Sequence, residues 1–317
     1  MNRVSFLNAL LIGGLTLTGL ASCTQPGEAL RDRQRRENDA EIAQYIATNN
    51  LTGRAQTTEA GTYYIVTTSL PSAQTAAAGD EIQYHYVARR FDGLIVDSTD
   101  IAANLPRSFT RGFFSQNIVT AGIYDGIVNS GPIRSGIERV GMREGEKATL
   151  LVPSYLDGGR VGSLLLPQFS PVRYDITVAK VRTEEKQIDD FIALNKYTVT
   201  TKTTEGVRIV KTLARPDSAQ VKVGQTANVR YTGKLLNGRT FDLNTTTGFD
   251  YKVGEQQSVI GAWKIAVPLA RVGEKFFLIT PSSQAYGQAG DAGSQTYKVP
   301  IPPFAPLFFE MEIVSSK

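Results

Sequence analysis

The feature that most constrains this chain is its likeness to itself. Ile42, Tyr45, Ile46, Ala47 and Asn49 recur in order as Ile188, Phe191, Ile192, Ala193 and Asn195. The i, i+3, i+4 apolar spacing in both copies predicts a short amphipathic helix. Gly61 to Val66 then answers Gly206 to Val210, and Gly79 to Tyr86 answers Gly224 to Tyr231. Asp92-Gly93 falls on Asn237-Gly238 and Asp97 on Asp242. Such Asx-Gly pairs between alternating apolar runs mark hairpin turns, whose two central residues need positive φ. Gly145-Glu146-Lys147 and Pro153 correspond to Gly273-Glu274-Lys275 and Pro281, at a shorter separation, so copy one carries extra residues between about 98 and 140. The chain has 317 residues, and at roughly 100–200 residues per domain that leaves room for two. The repeat places them at 37–183 and 184–317, each opened by a helix.

Copy two carries the clearer pattern. Ala227, Val229, Tyr231 and Gly233 alternate with polar residues, and Phe276 to Thr280 and Leu307 to Val314 are strand-like in the same way. A helix is expected over Val259–Val267, closed by Pro268 and Gly273. Antiparallel strands about one short helix make an α+β domain.

Composition removes several kinds of chemistry. The chain has one cysteine and one histidine. Zinc sites take about four ligands, mostly Cys and His, disulfide frameworks need cysteine pairs, and Ser-His or Cys-His catalysis needs a partnered imidazole. The lone His85 reads as a structural strand residue. Lys and Arg number 34 against 30 Asp and Glu, with no dense basic stripe, which disfavours nucleic acid as a partner. No metal or cofactor is expected.

Five motifs of copy two occur in a recognisable order: Tyr231-Thr232-Gly233, Gly238-Arg239-Thr240-Phe241-Asp242, Val259-Ile260-Gly261-Ala262-Trp263, Ala285-Tyr286-Gly287 and Ile301-Pro302-Pro303. Together they resemble FKBP-type peptidyl-prolyl cis-trans isomerases over nearly all of 220–317. The resemblance implies a strongly twisted antiparallel sheet wrapped over one short helix, in both copies. It implies that Tyr231, Phe241, Asp242, Trp263, Tyr286 and Phe309 form the catalytic lining, with Phe249, Val259, Ile260 and Ile301 binding substrate. Trp263 would be the floor, Phe241, Phe249, Tyr231 and Phe309 the walls, and Asp242 and Tyr286 the few polar groups. The Ile260 backbone N–H would receive a substrate carbonyl, and the proline-rich stretch 297–306 would overhang the pocket. Taken singly, the aromatic residues read as core, Asp242 as a turn residue and Tyr286 as a loop tyrosine.

The chemistry suits a chain so poor in catalytic groups. Amide resonance raises a barrier of about 18–20 kcal/mol to rotation, and crossing it requires no nucleophile, metal or net proton transfer. A dry aromatic cup and fixed hydrogen-bond donors favour the twisted form, in which resonance is lost.

Copy one keeps the frame and changes the cup. Tyr86 and Asp97 remain, Val96 replaces the wall phenylalanine, Asp157 falls near the place of Tyr286, and Leu166-Pro167-Gln168 replaces Ile-Pro-Pro. No tryptophan appears around Ser135-Gly136-Ile137, where the alignment puts the helix. Copy one is expected to be a weak or inactive isomerase.

At the other end, Arg3 precedes an apolar run from Phe6 to Leu20 that ends in Leu20-Ala21-Ser22-Cys23. The run reads as a signal segment too short for a comfortable bilayer crossing. Its end resembles the lipobox of bacterial lipoproteins, which implies a signal peptide over 1–22, a diacylglyceryl anchor on Cys23, a tether over 23–36 and a place in the cell envelope. Thr24 permits outer-membrane sorting. The alternatives are an ordinary signal peptide or an uncleaved anchor. Two functions stay open: a membrane-anchored isomerase acting on proline-containing polypeptides during folding of exported proteins, or a noncatalytic binding module or holding chaperone built on the same scaffold.

Overall fold

The computed structural model describes residues 29–317 apart from 132, 136–137, 158–160, 256–258 and 294–298. The signal segment, Cys23, Gly136, Ile137 and residues 297–298 of the overhanging stretch lie outside the described residues. The first half comprises α1 (Leu30–Thr48), β1 (Gln56–Thr57), β2 (Tyr63–Thr68), β3 (Glu81–Arg89), β4 (Ile95–Ser98), β5 (Arg107–Thr110), α2 (Ala121–Val128), β6 (Ile133–Ser135), β7 (Glu138–Arg139), β8 (Lys147–Val152) and β9 (Val172–Arg182). The second comprises α3 (Glu184–Leu194), β10 (Thr201–Lys202), β11 (Arg208–Leu213), β12 (Thr226–Leu235), β13 (Thr240–Lys252), α4 (Gly261–Ala266), β14 (Lys275–Thr280) and β15 (Leu307–Ser316).

The two halves share one topology. The first sheet runs β1-β2-β8-β9-β3-β4, with β5 also on β3; the second runs β10-β11-β14-β15-β12-β13. Every pairing in both is antiparallel. The architecture is α+β, as the alternation of strand-like runs implies. In β9 the period of two is nearly strict: Val172, Tyr174, Ile176 and Val178 are buried and the residues between them are not. The long β13 does alone what β4 and β5 share in copy one. Most of copy one's additional length emerges after α2, where the hairpin β6–β7 lies.

Each sheet is covered on both faces. Tyr64 and Leu150 face the core that includes α2, whereas their neighbours Ile65 and Leu151 pack under α1 through Ile42. In the second half Leu278 belongs to the core of α4, and Ile279 packs with Ile188 of α3. The repeat also conserves a polar latch. Ser154 N–H donates to Asn38 Oδ1 at 2.6 Å, and Ser282 N–H donates to the Glu184 carboxylate. Each opening helix thereby docks on the turn that follows its central strand. Residues 30–36 of the stretch expected as a tether belong to α1; residues 23–28 lie outside the described residues.

The central helices differ from expectation in instructive ways. In copy two α4 starts two residues after Val259, with Ile260 extended (ψ 155°) as its N-cap, and ends in a tight turn over Val267–Leu269. Pro268 lacks the N–H that would continue an α-helix. In copy one the helix lies at Ala121–Val128, ahead of the Ser135 region where the alignment placed it. The shift follows from the inserted hairpin. A Cβ built on Gly122 would stand 2.1 Å from Val152, and one on Gly126 2.4 Å from Leu150, so α2 rests directly on β8. The buried Ala262 and Ala266 occupy the corresponding places of α4. Each glycine costs a helix about 1 kcal/mol, and the Thr120 side chain, accepting from Ile123 N–H, offsets roughly one of them.

Candidate active site

The twist of β12, β13 and β15 over α4 leaves a hollow of about 420 Å³ on the helix side of the second sheet. Its walls are Tyr231, Phe241, Asp242, Phe249, Val259, Ile260, Trp263, Ala285, Tyr286 and Phe309. Nine of the ten residues singled out from the sequence are therefore gathered around one cavity. Ile301 is not among them. Its side chain is buried in the same apolar cluster as Trp263 and Phe309, and its backbone N–H and C=O pair with Asp291, both at 2.8 Å. That bridge ties Ile301 into the loop beside the hollow, and its side chain is not part of the cavity lining. Ala285, which the sequence reading did not single out, lines the cavity beside Tyr286; its presence within Ala285-Tyr286-Gly287 was the available signal.

Trp263 lies at the centre of this arrangement and is 5% exposed. Tyr231 meets its ring at 4.9 Å and 84°, Phe249 at 6.1 Å and 78°, and Phe309 at 6.1 Å and 81°. Phe241 and Phe309 meet at 5.6 Å and 89°. Edge-to-face contacts of this kind set positive ring edges against negative ring faces. Gly233 makes the last pair possible. A Cβ there would stand 2.7 Å from Phe241 and 2.8 Å from Phe309.

The polar groups are few and directed. Tyr231 donates its hydroxyl to Asp242 Oδ2 at 2.7 Å, which aligns the carboxylate on the rim. Among the described residues the Tyr286 hydroxyl and the Ile260 N–H have no hydrogen-bond partner, leaving two donors for a ligand. Burial pushes the Tyr286 phenol above its ordinary pKa, and the nearby Asp291 and Asp242 carboxylates push it the same way. It remains a neutral donor at physiological pH. The arrangement can hold a small apolar ring against an indole and receive an adjacent carbonyl, without ionising anything.

The matching region of copy one is chemically different. Ile123 stands three residues past the helix N-cap Thr120, as Trp263 stands three past Ile260. Tyr86 donates to Asp97 as Tyr231 does to Asp242, but the Tyr174 hydroxyl donates to the Asp157 carboxylate. Tyr174 pairs with Leu150 in the sheet, the position that Phe309 holds opposite Leu278. Arg107 lies with its guanidinium carbon 5.6 Å from the centre of the Tyr86 ring. Burial raises the pKa of the Tyr174 phenol strongly, with the Asp157 charge and hydrogen bond adding to it. The half-buried acid that the sequence puts in this cup thus has a hydroxyl partner, which offsets part of its desolvation.

Comparison with known proteins agrees with this geometry. The sequence pattern of FKBP_C, the FKBP-type peptidyl-prolyl cis-trans isomerase family, matches residues 217–314. FK506-binding protein 4 of Dictyostelium discoideum is 42% identical over 94 residues, which are 30% of this chain and 24% of that protein. A peptidyl-prolyl cis-trans isomerase of Saccharomyces cerevisiae is 34% identical over 124 residues, 39% of this chain and 28% of that protein. FK506-binding protein 1 of Kluyveromyces lactis is 37% identical over 115 residues, 35% of this chain and 95% of that protein. The chain spans about a quarter of the length of the first two relatives and nearly the whole of the third. An aromatic hollow floored by Trp263, together with a match that covers 95% of the Kluyveromyces lactis relative, shows that the chain belongs to the FKBP family of peptidyl-prolyl cis-trans isomerases.

Proposed function

We propose that the second half of the chain catalyses cis–trans isomerisation of Xaa–Pro bonds in polypeptides. The observation that carries this reading is the hollow itself: edge-on aromatic rings around Trp263, with hydrogen-bonding groups only at its margin. The pyrrolidine ring enters over the indole, and the Ile260 N–H receives a flanking carbonyl. Planar imide is the more polar form, so a water-poor cup favours the twisted one. Because uncatalysed isomerisation takes tens to hundreds of seconds, such an enzyme accelerates folding wherever a proline limits it. The test is exchange NMR on a Xaa–Pro peptide with the full chain at catalytic concentration. Line broadening that rises with enzyme is expected, and its absence refutes the assignment.

The first half supports a second role, holding extended apolar segments. Leu94, Ile95, Ile101, Leu105, Phe114 and Ile118 are all exposed on that half, and its own cup holds paired polar groups. Suppression of aggregation of a proline-free client measures this role apart from isomerisation.

The reading extends to the membrane. Leu20-Ala21-Ser22-Cys23 supports lipidation of Cys23 and residence in the cell envelope of a bacterium. Two or more acyl chains suffice for stable anchoring. Among the described residues no helix is long and apolar enough to cross a bilayer. Detergent-phase partition of the full chain, compared with Cys23→Ser, tests the anchor: the substitution should move the protein to the aqueous phase.

A further inference from the structure

Phe304 has φ +61°, a left-handed conformation that a bulky side chain adopts only where its surroundings hold it. The turn itself is the repeat's own, since Phe169 at the matching place has φ +64°, but the ring of Phe304 is seated in the other half of the molecule. A Cβ built on Gly79 would stand 3.0 Å from Phe304 Cδ1, and one on Gly112 would stand 3.3 Å from Phe304 Cε2. The ring therefore occupies a slot between two glycines, both at positive φ, at the end of the β3–β5 ladder. The slot is stiff. Gly79 N–H donates to Arg111 C=O and Arg111 N–H to Asp80 C=O, both at 2.9 Å. The buried Arg111 guanidinium donates to the carbonyls of Ala76, Val140 and Arg139 at 2.8–3.0 Å. Nearby, Arg182 joins Glu81 of β3 to Asp190 of α3, at 2.5 and 3.1 Å, which fastens the opening helix of the second half to the first.

The loop that bears Phe304 is stitched to the hollow. Phe304 N–H donates to Gly287 C=O at 2.9 Å, immediately after Tyr286. Gly290 N–H donates to Tyr286 C=O at 3.2 Å, and the Asp291–Ile301 bridge closes the frame. Beyond Pro306 the chain runs directly into β15 and Phe309. We propose that Phe304 is a positioning residue for the isomerase hollow, and that the glycine slot makes the first half a structural part of the second half's site. The proposal rests on the isomerase reading above. It assigns the degenerate copy a task that needs no working cup of its own.

The test uses the full chain, with Phe304→Ala, Gly112→Ala, both together, and Phe304→Leu. Hydrogen exchange at the Ile301 and Phe304 amides is read beside kcat and KM on a Xaa–Pro peptide. Phe304→Ala and Gly112→Ala should each speed exchange at the Phe304 amide and raise KM about three- to tenfold, with kcat changed less. The double variant should match Phe304→Ala alone, and Phe304→Leu should recover most of the loss. Unchanged loop exchange in Phe304→Ala overturns the proposal, and so does an additive double variant. Should Gly112→Ala unfold the first half, loop amides that stay protected overturn it equally, whereas their deprotection supports it. A wild-type chain without isomerase activity refutes the proposed function, and the exchange readout then still decides the coupling between the halves.

Discussion

Replacing Trp263 with leucine separates a catalytic floor from a merely well-packed core. The indole makes edge-to-face contacts with Tyr231, Phe249 and Phe309 at 4.9, 6.1 and 6.1 Å. At about 0.5–1.5 kcal/mol each, the three contribute about 1.5–4.5 kcal/mol beyond area burial. Leucine refills part of the volume, so the expected destabilisation is about 2–4 kcal/mol. That falls within the stability of a typical domain, about 5–15 kcal/mol, and the second half stays folded. The effect on catalysis has a separate origin. A proline ring on the indole buries its methylenes at about 0.8 kcal/mol each, of which the floor supplies on the order of 1–2 kcal/mol. Losing that lowers kcat/KM about 5- to 30-fold. The assay is exchange NMR on a Xaa–Pro peptide, with melting of each variant measured in parallel. Trp263 is the only tryptophan, so its fluorescence reports substrate entry in the wild type without interference. A folded Trp263→Leu chain with unchanged kcat/KM would show that turnover occurs elsewhere, and the reasoning about the hollow would fail.

Three other perturbations test different parts of the argument. Tyr286→Phe removes a donor worth about 0.5–1.5 kcal/mol, so kcat/KM should fall about two- to tenfold. Because burial and two carboxylates raise the Tyr286 pKa, the wild-type profile should show no tyrosine titration below about pH 10; a Tyr286-dependent step near neutrality would contradict this. Burial alone would raise the Glu274 pKa, but hydrogen bonds from Lys211 and from the Arg271 and Arg215 N–H groups hold it below the ordinary value. A depressed folded pKa gives stability that is complete above the unfolded value of about 4.3 and lost as pH falls through the folded one. Glu274→Gln should therefore flatten the acid limb of a urea-unfolding series, and an unaltered slope would sink the claim. Gly233→Ala forces a methyl group to within 2.7–2.8 Å of Phe241 and Phe309, for an expected loss of about 1–3 kcal/mol from overpacking; an unshifted melting temperature would show that the rings move aside freely.

The duplicated plan was legible because it is written in local signals: apolar spacing, Asx-Gly turns and Gly-Glu-Lys recurring in order. The last of these has a clear reason in the fold. Glu146 accepts from the Leu70 and Arg143 N–H groups at 2.9 Å, and Glu274 accepts from the corresponding Arg215 and Arg271 N–H groups at 3.5 and 2.9 Å. The recurrence of Tyr86 and Asp97 as Tyr231 and Asp242 was legible too, whereas their hydrogen bonds appear only in the structure. Each spans adjacent antiparallel strands, so a hairpin register brings the two residues together. The place of α2 could not be read, since its glycines look like helix breakers until Leu150 and Val152 are seen filling their Cβ space.

By itself, then, the order of residues determined two α+β units, their opening helices and most of the aromatic wall, all matters of periodicity and short-range register. Tertiary structure alone decided that Ile301 is bridged to Asp291 beside the hollow, that the Asp157 carboxylate accepts from the Tyr174 hydroxyl, and that Phe304 lodges between glycines more than 190 positions earlier. Those outcomes depend on which surfaces meet after the sheets have twisted and the halves have docked. Contacts between residues so far apart leave no periodic trace along the chain.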